Sequence, residues 1–309
     1  MYKIPTKHIM TDGISSRAVV IRWSVLCVLS ALALGALFAP SAVSNKRGEL
    51  RVTIFDVGQG DAIFIESSTG RQALIDGGPP DGGVLRQLSE RMGFFDRSLD
   101  FVLATHPDKD HIGGLPDVLA RYDVAEIVLT ENRGESAAAE AFLAGVETEG
   151  AAITYARRGM VFDLGAGALL TILFPDRDPS FLESNTASIV ARLTFGESEF
   201  LFTGDSPQSI EDYLVILDGG APSAGWRSGL ASDVLKVGHH GSRTSTSEFF
   251  LSVVRPEYAV ISAGKGNQYG HPHAEVLAAL REAGAEIQNT AESGSVTFVS
   301  DGARLWVEE

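Results

Sequence analysis

The sequence reads Thr105-His106-Pro107-Asp108-Lys109-Asp110-His111-Ile112-Gly113-Gly114 directly after the apolar run 101–104. Such a run is typical of a buried strand, so two histidines and two aspartates lie on the short loop that follows the end of one strand. Alternate side chains at 106, 108 and 110 point to one side of this loop, while His111 begins a helix beneath it. Imidazole and carboxylate groups bind divalent cations, and this spacing serves two adjacent sites. The alternative is a polar loop whose aspartates cap a helix.

Two more aspartates follow predicted strands. Asp205 comes after the apolar run 200–203, where it either caps the helix beyond Pro207 or bridges two metal ions. The histidines elsewhere in the chain favour bridging. Asp76 ends the strand 73–75, a position suited to accepting hydrogen bonds that orient the metal loop, although it is equally suited to a turn.

Four of the remaining histidines form two pairs. His239 and His240 follow the strand 234–237 in a glycine turn, and the pair either binds metal or contacts an anionic substrate. The sequence does not assign these roles to individual rings. His271 lies between a glycine and a proline, which suits a fixed metal ligand, whereas His273 either contacts substrate or only caps and packs.

Short strands and helices alternate along residues 48–309, without an internal repeat or a long linker. This pattern predicts one α+β domain. The formal net charge is −15, and residues 1–47 carry six Lys/Arg and one Asp, which leaves 19 basic and 39 acidic residues from 48 onward. The body is therefore near −20 and repels phosphate backbones, so a nucleic-acid substrate needs a local basic groove or bound cations.

The N-terminal segment of about 18–40 is apolar and has basic residues on both sides. It predicts either a single membrane-spanning helix, with the body outside the cytoplasm, or a cleaved signal peptide that leaves the body secreted; a buried core helix is a third reading. The only cysteine, Cys27, lies in this segment, so an intrachain disulfide and a thiolate metal site are excluded.

Six ordered motifs together resemble the metallo-β-lactamase superfamily, and more closely the β-lactamase-like domain of ComEC-type DNA-uptake (competence) proteins. The motifs lie at 55–61, 75–78, 105–114, 203–205, 236–242 and 269–273. The resemblance implies a four-layer αββα sandwich with two divalent metal ions at one sheet edge. It implies the metal ligands His106, Asp108, Asp110, His111, Asp205 and His271, with His239, His240, Asn185 and Asp76 as further ligands or supporting residues.

Two positions depart from the superfamily pattern. Asp108 stands where most members have a histidine, a change that ComEC-type domains share, and Asn185 stands where many members supply another histidine. Oxygen donors in place of imidazole shift the preference from zinc towards manganese or magnesium. We therefore predict manganese-supported activity.

Two adjacent divalent cations activate water for attack on a phosphorus or carbonyl centre, so the predicted chemistry is hydrolysis. The resemblance favours a phosphodiesterase or nuclease acting on DNA beside a DNA-uptake machinery, with Asp110, His240 and Lys236 in catalysis. Ser242, Arg243 and His273 then contact the substrate, unless Lys236 and Arg243 are only solvated surface residues. The alternatives are a hydrolase of a small phosphodiester, lactone or ester, its pocket shaped by the loop 224–232, and a catalytically silent accessory subunit.

Overall fold

The computed structural model describes residues 48–93, 95–218 and 229–308, together with helical positions at 23, 25 and 27–30. The chain divides into two compact units, 1–43 and 44–309, and the fold below is that of the second. Within the described residues no helix is both long enough and apolar enough to traverse a bilayer. Most of the predicted span at 18–40 and half of the loop 224–232 lie outside the described residues, so both stay predictions.

The first sheet has eight strands, with the first and last parts of the domain side by side in it. Its strands are β1 (Leu50–Ile54), β2 (Ile63–Glu66), β3 (Gln72–Ile75), β4 (Ser98–Ala104), β5 (Asp123–Leu129), β6 (Ala152–Tyr155), β14 (Val296–Ser300) and β15 (Leu305–Val307). They run in the order β15-β14-β1-β2-β3-β4-β5-β6. The strands from β3 to β6 are parallel to one another, and the rest of the sheet is antiparallel.

The second sheet has seven strands. They are β7 (Val161–Asp163), β8 (Leu169–Phe174), β9 (Val190–Phe195), β10 (Ser198–Phe202), β11 (Val234–Lys236), β12 (Tyr258–Ile261) and β13 (Glu286–Asn289). Their order is β13-β12-β11-β10-β9-β8-β7, and the strands from β10 to β13 are parallel.

Eight helices connect these strands within the described residues of the domain. They are α1 (Gly83–Arg91), α2 (Lys109–Ile112), α3 (Leu115–Leu119), α4 (Ala137–Glu149), α5 (Gln208–Asp218), α6 (Glu248–Val254), α7 (Ala274–Glu282) and α8 (Thr290–Ser293). Short 3₁₀ turns lie at Asn185–Ala187 and Gly238–Gly241. The start of α4 shows why the boundaries fall where they do, because the Ser136 hydroxyl accepts the Ala139 N–H at its first turn.

Three buried clusters define four layers, helices, sheet, sheet and helices. In β4, Phe101 and Leu103 face the second sheet, while Val102 between them faces the helices, as the two-residue period of a strand requires. The cluster on the outer side of the first sheet includes Leu88 of α1 and Phe142 of α4. The outer cluster of the second sheet is formed with α5, α6 and α7. The predicted αββα sandwich is thus confirmed for the domain.

Candidate metal centre

The predicted site residues follow the carboxyl ends of parallel strands. Asp76 follows β3, His106 follows β4, Asp205 follows β10 and His240 follows β11. Parallel neighbours end at the same edge of a sheet, and the packing of the two sheets brings these two edges together, as ligand sites of α/β sheets require. Residues scattered over more than 150 positions of sequence therefore meet at one place.

Asp76 orients two of the histidines. Its carboxylate accepts the Thr105 N–H at 2.8 Å, the Thr105 hydroxyl at 2.7 Å and the Nδ1–H of His111 at 2.8 Å. Because the Thr105 hydroxyl donates its only proton to Asp76, its oxygen accepts from Nδ1 of His106 at 3.0 Å. In their neutral forms, both rings then carry their proton on Nδ1 and present the lone pair of Nε2. These are the contacts that the predicted supporting role of Asp76 requires, and the role itself stays a prediction.

A different contact places the proton of the His240 ring on Nδ1 as well. Its Nδ1 lies 2.9 Å from the carbonyl oxygen of Ser262, which can only accept, so the proton is again on Nδ1. His239 and His240 both adopt left-handed backbone conformations, with φ of 47° and 55°. Two consecutive non-glycine residues in this region cost free energy and occur where the surrounding structure enforces them, typically at functional sites. The strained turn aims Nε2 of His240 into the centre.

The Nε2 atoms of His106, His111 and His240 are buried and have no hydrogen-bond partner. They converge on the buried carboxylate of Asp205, at 3.9 Å, 3.2 Å and 3.6 Å from its nearer oxygen. Lone pairs that face a carboxylate at these distances repel it unless a proton or a cation lies between them. The donor set therefore fits bound cations, and Asp205 lies among the three imidazoles with one oxygen free of hydrogen bonds; the bridging role of Asp205 stays a prediction.

Two donor groups share Asp205. On one side Asp108 lies 3.8 Å from Nε2 of His106 and accepts the Ser184 hydroxyl at 2.6 Å, and the amide oxygen of neighbouring Asn185 is buried without a partner. On the other side Asp110 lies 3.3 Å from Nε2 of His240. Each side thus places a nitrogen donor close to oxygen donors, and oxygen donors are those that Mn²⁺ and Mg²⁺ prefer.

The charges of the centre depend on one another. Burial, together with the neighbouring His111, lowers the pKa of His106. Burial by itself would also lower the pKa of His240, but the carboxylates of Asp205 and Asp61 raise it to about 9. Burial would raise the pKa of Asp205, yet the facing imidazoles hold it well below its usual range. A cation that enters the centre replaces the protons on these rings.

Asp61, in the turn between β1 and β2, also belongs to the centre, although no site role was predicted for it. Its ligand atoms lie within 4.8 Å of those of His111, Asp205 and His240. One oxygen lies 3.4 Å from Nδ1 of His240, the ring nitrogen that does not face Asp205, and the other oxygen pairs with Nζ of Lys236 at 2.7 Å. One Asp61 oxygen is buried without a hydrogen-bond partner, so Asp61 is a candidate ligand as well as a support for His240.

The structure corrects the prediction for Lys236. Its side chain is 1% exposed, and its ammonium is paired with Asp61 and donates to the carbonyl of Val237 at 2.9 Å. A buried ammonium that is paired with Asp61 is not open to a substrate, and it is not a solvated surface group either. Ser242 is similarly buried, and its hydroxyl contacts Thr244 at 3.0 Å, so the predicted substrate contact through Ser242 is also corrected.

The remaining histidines form an outer rim. Nε2 of His239 lies 3.6 Å from Asp205, and the ring centroid of His271 lies 5.6 Å from that of His239. Partial burial, followed by the surrounding imidazoles, lowers the pKa of His271 to about 4, so the ring is neutral at physiological pH. His273 accepts the backbone N–H of Arg243 at 3.1 Å and does not cap α7 with its side chain. A ligand role for His271 stays a prediction.

Comparisons with known proteins agree with this geometry. Residues 55–265 match the metallo-beta-lactamase superfamily. The chain is 30% identical over 270 residues to ComE operon protein 3 of Bacillus subtilis, covering 81% of this chain and 33% of the relative. It is 31% identical over 276 residues to competence protein ComA of Neisseria gonorrhoeae, covering 89% and 35%. The chain thus spans about a third of the length of these relatives.

Solved structures share the fold at low sequence identity. The metallo-beta-lactamase fold protein YhfI of Bacillus subtilis superposes with a TM-score of 0.52 at 14% identity, over 81% of this chain and 99% of that one. Igni18, a metallo hydrolase of the archaeon Ignicoccus hospitalis, gives 0.52 at 16% identity, over 81% and 98%. Sequence, fold and donor set agree, and the chain belongs to the metallo-beta-lactamase superfamily.

Proposed function

We propose that this protein is a metal-dependent phosphodiesterase that hydrolyses nucleic acid. The observation that carries the proposal is the convergence of three buried, unpartnered Nε2 atoms on the shared carboxylate of Asp205. Divalent cations held in such a site activate water and neutralise charge on phosphoryl oxygens. The similarity to competence proteins supports DNA as the substrate.

Each residue of the centre has its own role in the proposed reaction. Asp205 holds the two donor groups together, and Asp76 and Asp61 fix the rings that face it. Asp110 is about a third exposed and reaches the inner imidazole of His240, so it lies between the buried centre and the substrate side. Arg243, exposed on the rim, is placed to meet the charge of a phosphodiester.

The test uses the purified full chain with Mn²⁺ and three substrates, namely single-stranded DNA, plasmid and bis-p-nitrophenyl phosphate. Asp110→Ala is expected to lower DNA hydrolysis about 100-fold or more, the scale of losing one group that stabilises charge in an active site. Asp117→Ala, which removes an exposed aspartate from α3, is the matched control and is expected to leave activity unchanged. Zn²⁺ that supports equal or faster turnover than Mn²⁺ would contradict the proposed metal preference.

The strongly acidic body favours a second candidate, hydrolysis of a small phosphodiester, lactone or other ester. Activity on bis-p-nitrophenyl phosphate without activity on DNA would support it. A folded, metal-loaded chain inactive on every substrate would support an accessory subunit of an uptake complex instead.

We also propose that the segment 18–40 holds the body at a membrane, outside the cytoplasm. Its apolar sequence between basic flanks supports this placement, and the similarity to competence proteins fits it. Protease accessibility of the body in intact cells tests it, and protection of the body until the membrane is broken would contradict it.

A further inference from the structure

Four exposed cationic side chains lie on or close to the loops that carry the metal centre, and together with the outer histidines they form its rim. Lys109 lies within the metal loop, and Arg133 lines the same small cavity as His106. Arg243 is three residues beyond His240, and Lys265 is on the loop that carries His271. In the described part of the chain none of the four forms an ion pair of the kind that Arg157, Arg158 and Arg192 form with carboxylates. In a body near −20, free cations at this rim give the local basic surface that a phosphate backbone requires.

Two exposed aromatic residues are close in sequence to residues of the same rim. The Tyr269 ring is 55% exposed and stacks on His271, with centroids 5.6 Å apart and an interplanar angle of 24°. Phe181 is 98% exposed, three residues before Ser184, whose hydroxyl is bonded to Asp108. Three residues span at most about 11 Å, so Phe181 lies beside the metal loop. Exposed aromatic side chains beside a cationic path are the features by which proteins bind unpaired bases.

We propose that this rim binds single-stranded nucleic acid, with Tyr269 and Phe181 as base-stacking positions and Lys109, Arg133, Arg243 and Lys265 as phosphate contacts. This proposal names the form of nucleic acid that the enzyme proposed above would bind, and in that sense it rests on the proposed function. The binding itself does not require hydrolysis. Base pairs hide the faces of the bases, so the stacking positions favour a single strand over a duplex. Sequence preference is weak, because every base offers a face for stacking.

The test measures fluorescence anisotropy of a labelled 20-nucleotide oligothymidylate and of a 20-base-pair duplex with the full chain, in a chelator that prevents hydrolysis. We expect tighter binding of the single strand. Tyr269→Leu and Phe181→Leu are each expected to weaken it about tenfold, within the range for loss of one stacked base. Tyr269→Phe is expected to bind as the parent does. Phe95→Leu is the matched control, because Phe95 is 60% exposed but precedes β4 at the opposite sheet edge.

The cations are tested by the salt dependence of binding. Each substitution to Gln at 109, 133, 243 or 265 is expected to reduce the slope of log affinity against log salt by about 0.7. Arg121→Gln, an exposed arginine just before the amino end of β5, is expected to leave the slope unchanged. Equal affinity for duplex and single strand, no binding, or binding that the rim variants do not alter would each overturn the proposal.

Hydrolysis of bis-p-nitrophenyl phosphate with Mn²⁺ is measured on the same preparations. Hydrolysis without single-strand binding overturns the rim proposal and leaves the centre as a phosphodiesterase. Binding without hydrolysis of any substrate overturns the proposed function and leaves the rim as a binding surface.

Discussion

Removal of the Lys236 ammonium is the perturbation with the most predictable energetic result. Its Nζ lies 2.7 Å from Asp61, and the two side chains are 1% and 2% exposed. At an effective dielectric constant of 20, charges at this distance attract each other by about 6 kcal/mol. Loss of one partner of a buried pair typically costs about 3–5 kcal/mol, because the other charge remains buried and uncompensated. Lys236→Met should therefore lower the free energy of unfolding by about 3–5 kcal/mol.

A double-mutant cycle separates the ion pair from simple loss of packing. Asp61→Asn alone leaves Lys236 uncompensated, whereas Asp61→Asn with Lys236→Met removes both charges. The double variant should lose at least about 2 kcal/mol less than the sum of the two single losses. Because the double variant keeps the volume without either charge, it remains measurable if a single variant is too unstable to purify.

The assay is urea unfolding followed by circular dichroism at pH 7.5, with a chelator present throughout. Arg304→Met is the matched control, since its pair with Asp301 has the same 2.7 Å separation but side chains that are 80% and 30% exposed. Solvent screens such a pair, and its loss should fall within the error of the measurement. Strictly additive losses in the cycle, or a Lys236→Met effect no larger than that of Arg304→Met, would refute the reasoning.

Three further results are expected. Asp76→Asn should weaken Mn²⁺ binding about 10- to 100-fold in a competition titration, because Asp76 fixes the His111 and His106 tautomers; unchanged affinity would remove that role. Metal affinity should rise with pH up to about 9, because the raised pKa values of His240 and His111 keep these rings protonated to higher pH and a protonated ring cannot bind metal. Calorimetry in buffers of different ionisation enthalpy should detect the protons that metal binding releases. A metal affinity that does not change between pH 6 and 9 would argue against this reasoning. Gly60→Ala should destabilise the fold by at least about 2 kcal/mol in urea unfolding, because Gly60 has a φ of +140° and a Cβ there would lie 2.1 Å from the Asp110 carbonyl oxygen. Gly70→Ala is the control and should destabilise the fold less, because Gly70 has a φ of +84° but open space around the position of a Cβ.

Most of the centre was predictable because its residues stand at the ends of apolar runs. His106, Asp205 and His240 each follow a strand that reads as buried, and parallel strands end at a common edge. Asp61 was missed because an aspartate in a glycine-rich turn reads as a turn residue, and only the fold brings it behind His240. Lys236 was misplaced because a lysine at a strand end is usually solvated, whereas β11 is central in its sheet and covered by helices.

The edge strands of the second sheet also escaped prediction. β7 is three residues long, and β13 (Glu286–Asn289) has Ile287 as its only apolar side chain. Both lack the apolar alternation that marks a half-buried strand, and both owe their conformation to the neighbour with which they pair.

The position of β1 has a consequence for how the protein is made. β1 pairs on one side with β2 and on the other with β14, so Leu50 lies opposite Ser300. On the ribosome, the first strand emerges with one edge unpaired and keeps it so until the final part of the domain has been synthesised. Such an edge is a template for pairing with other chains. The nascent chain is thus exposed to aggregation from the synthesis of β1 until that of β14, and a nonsense mutation shortly before β14 would prolong that exposure indefinitely.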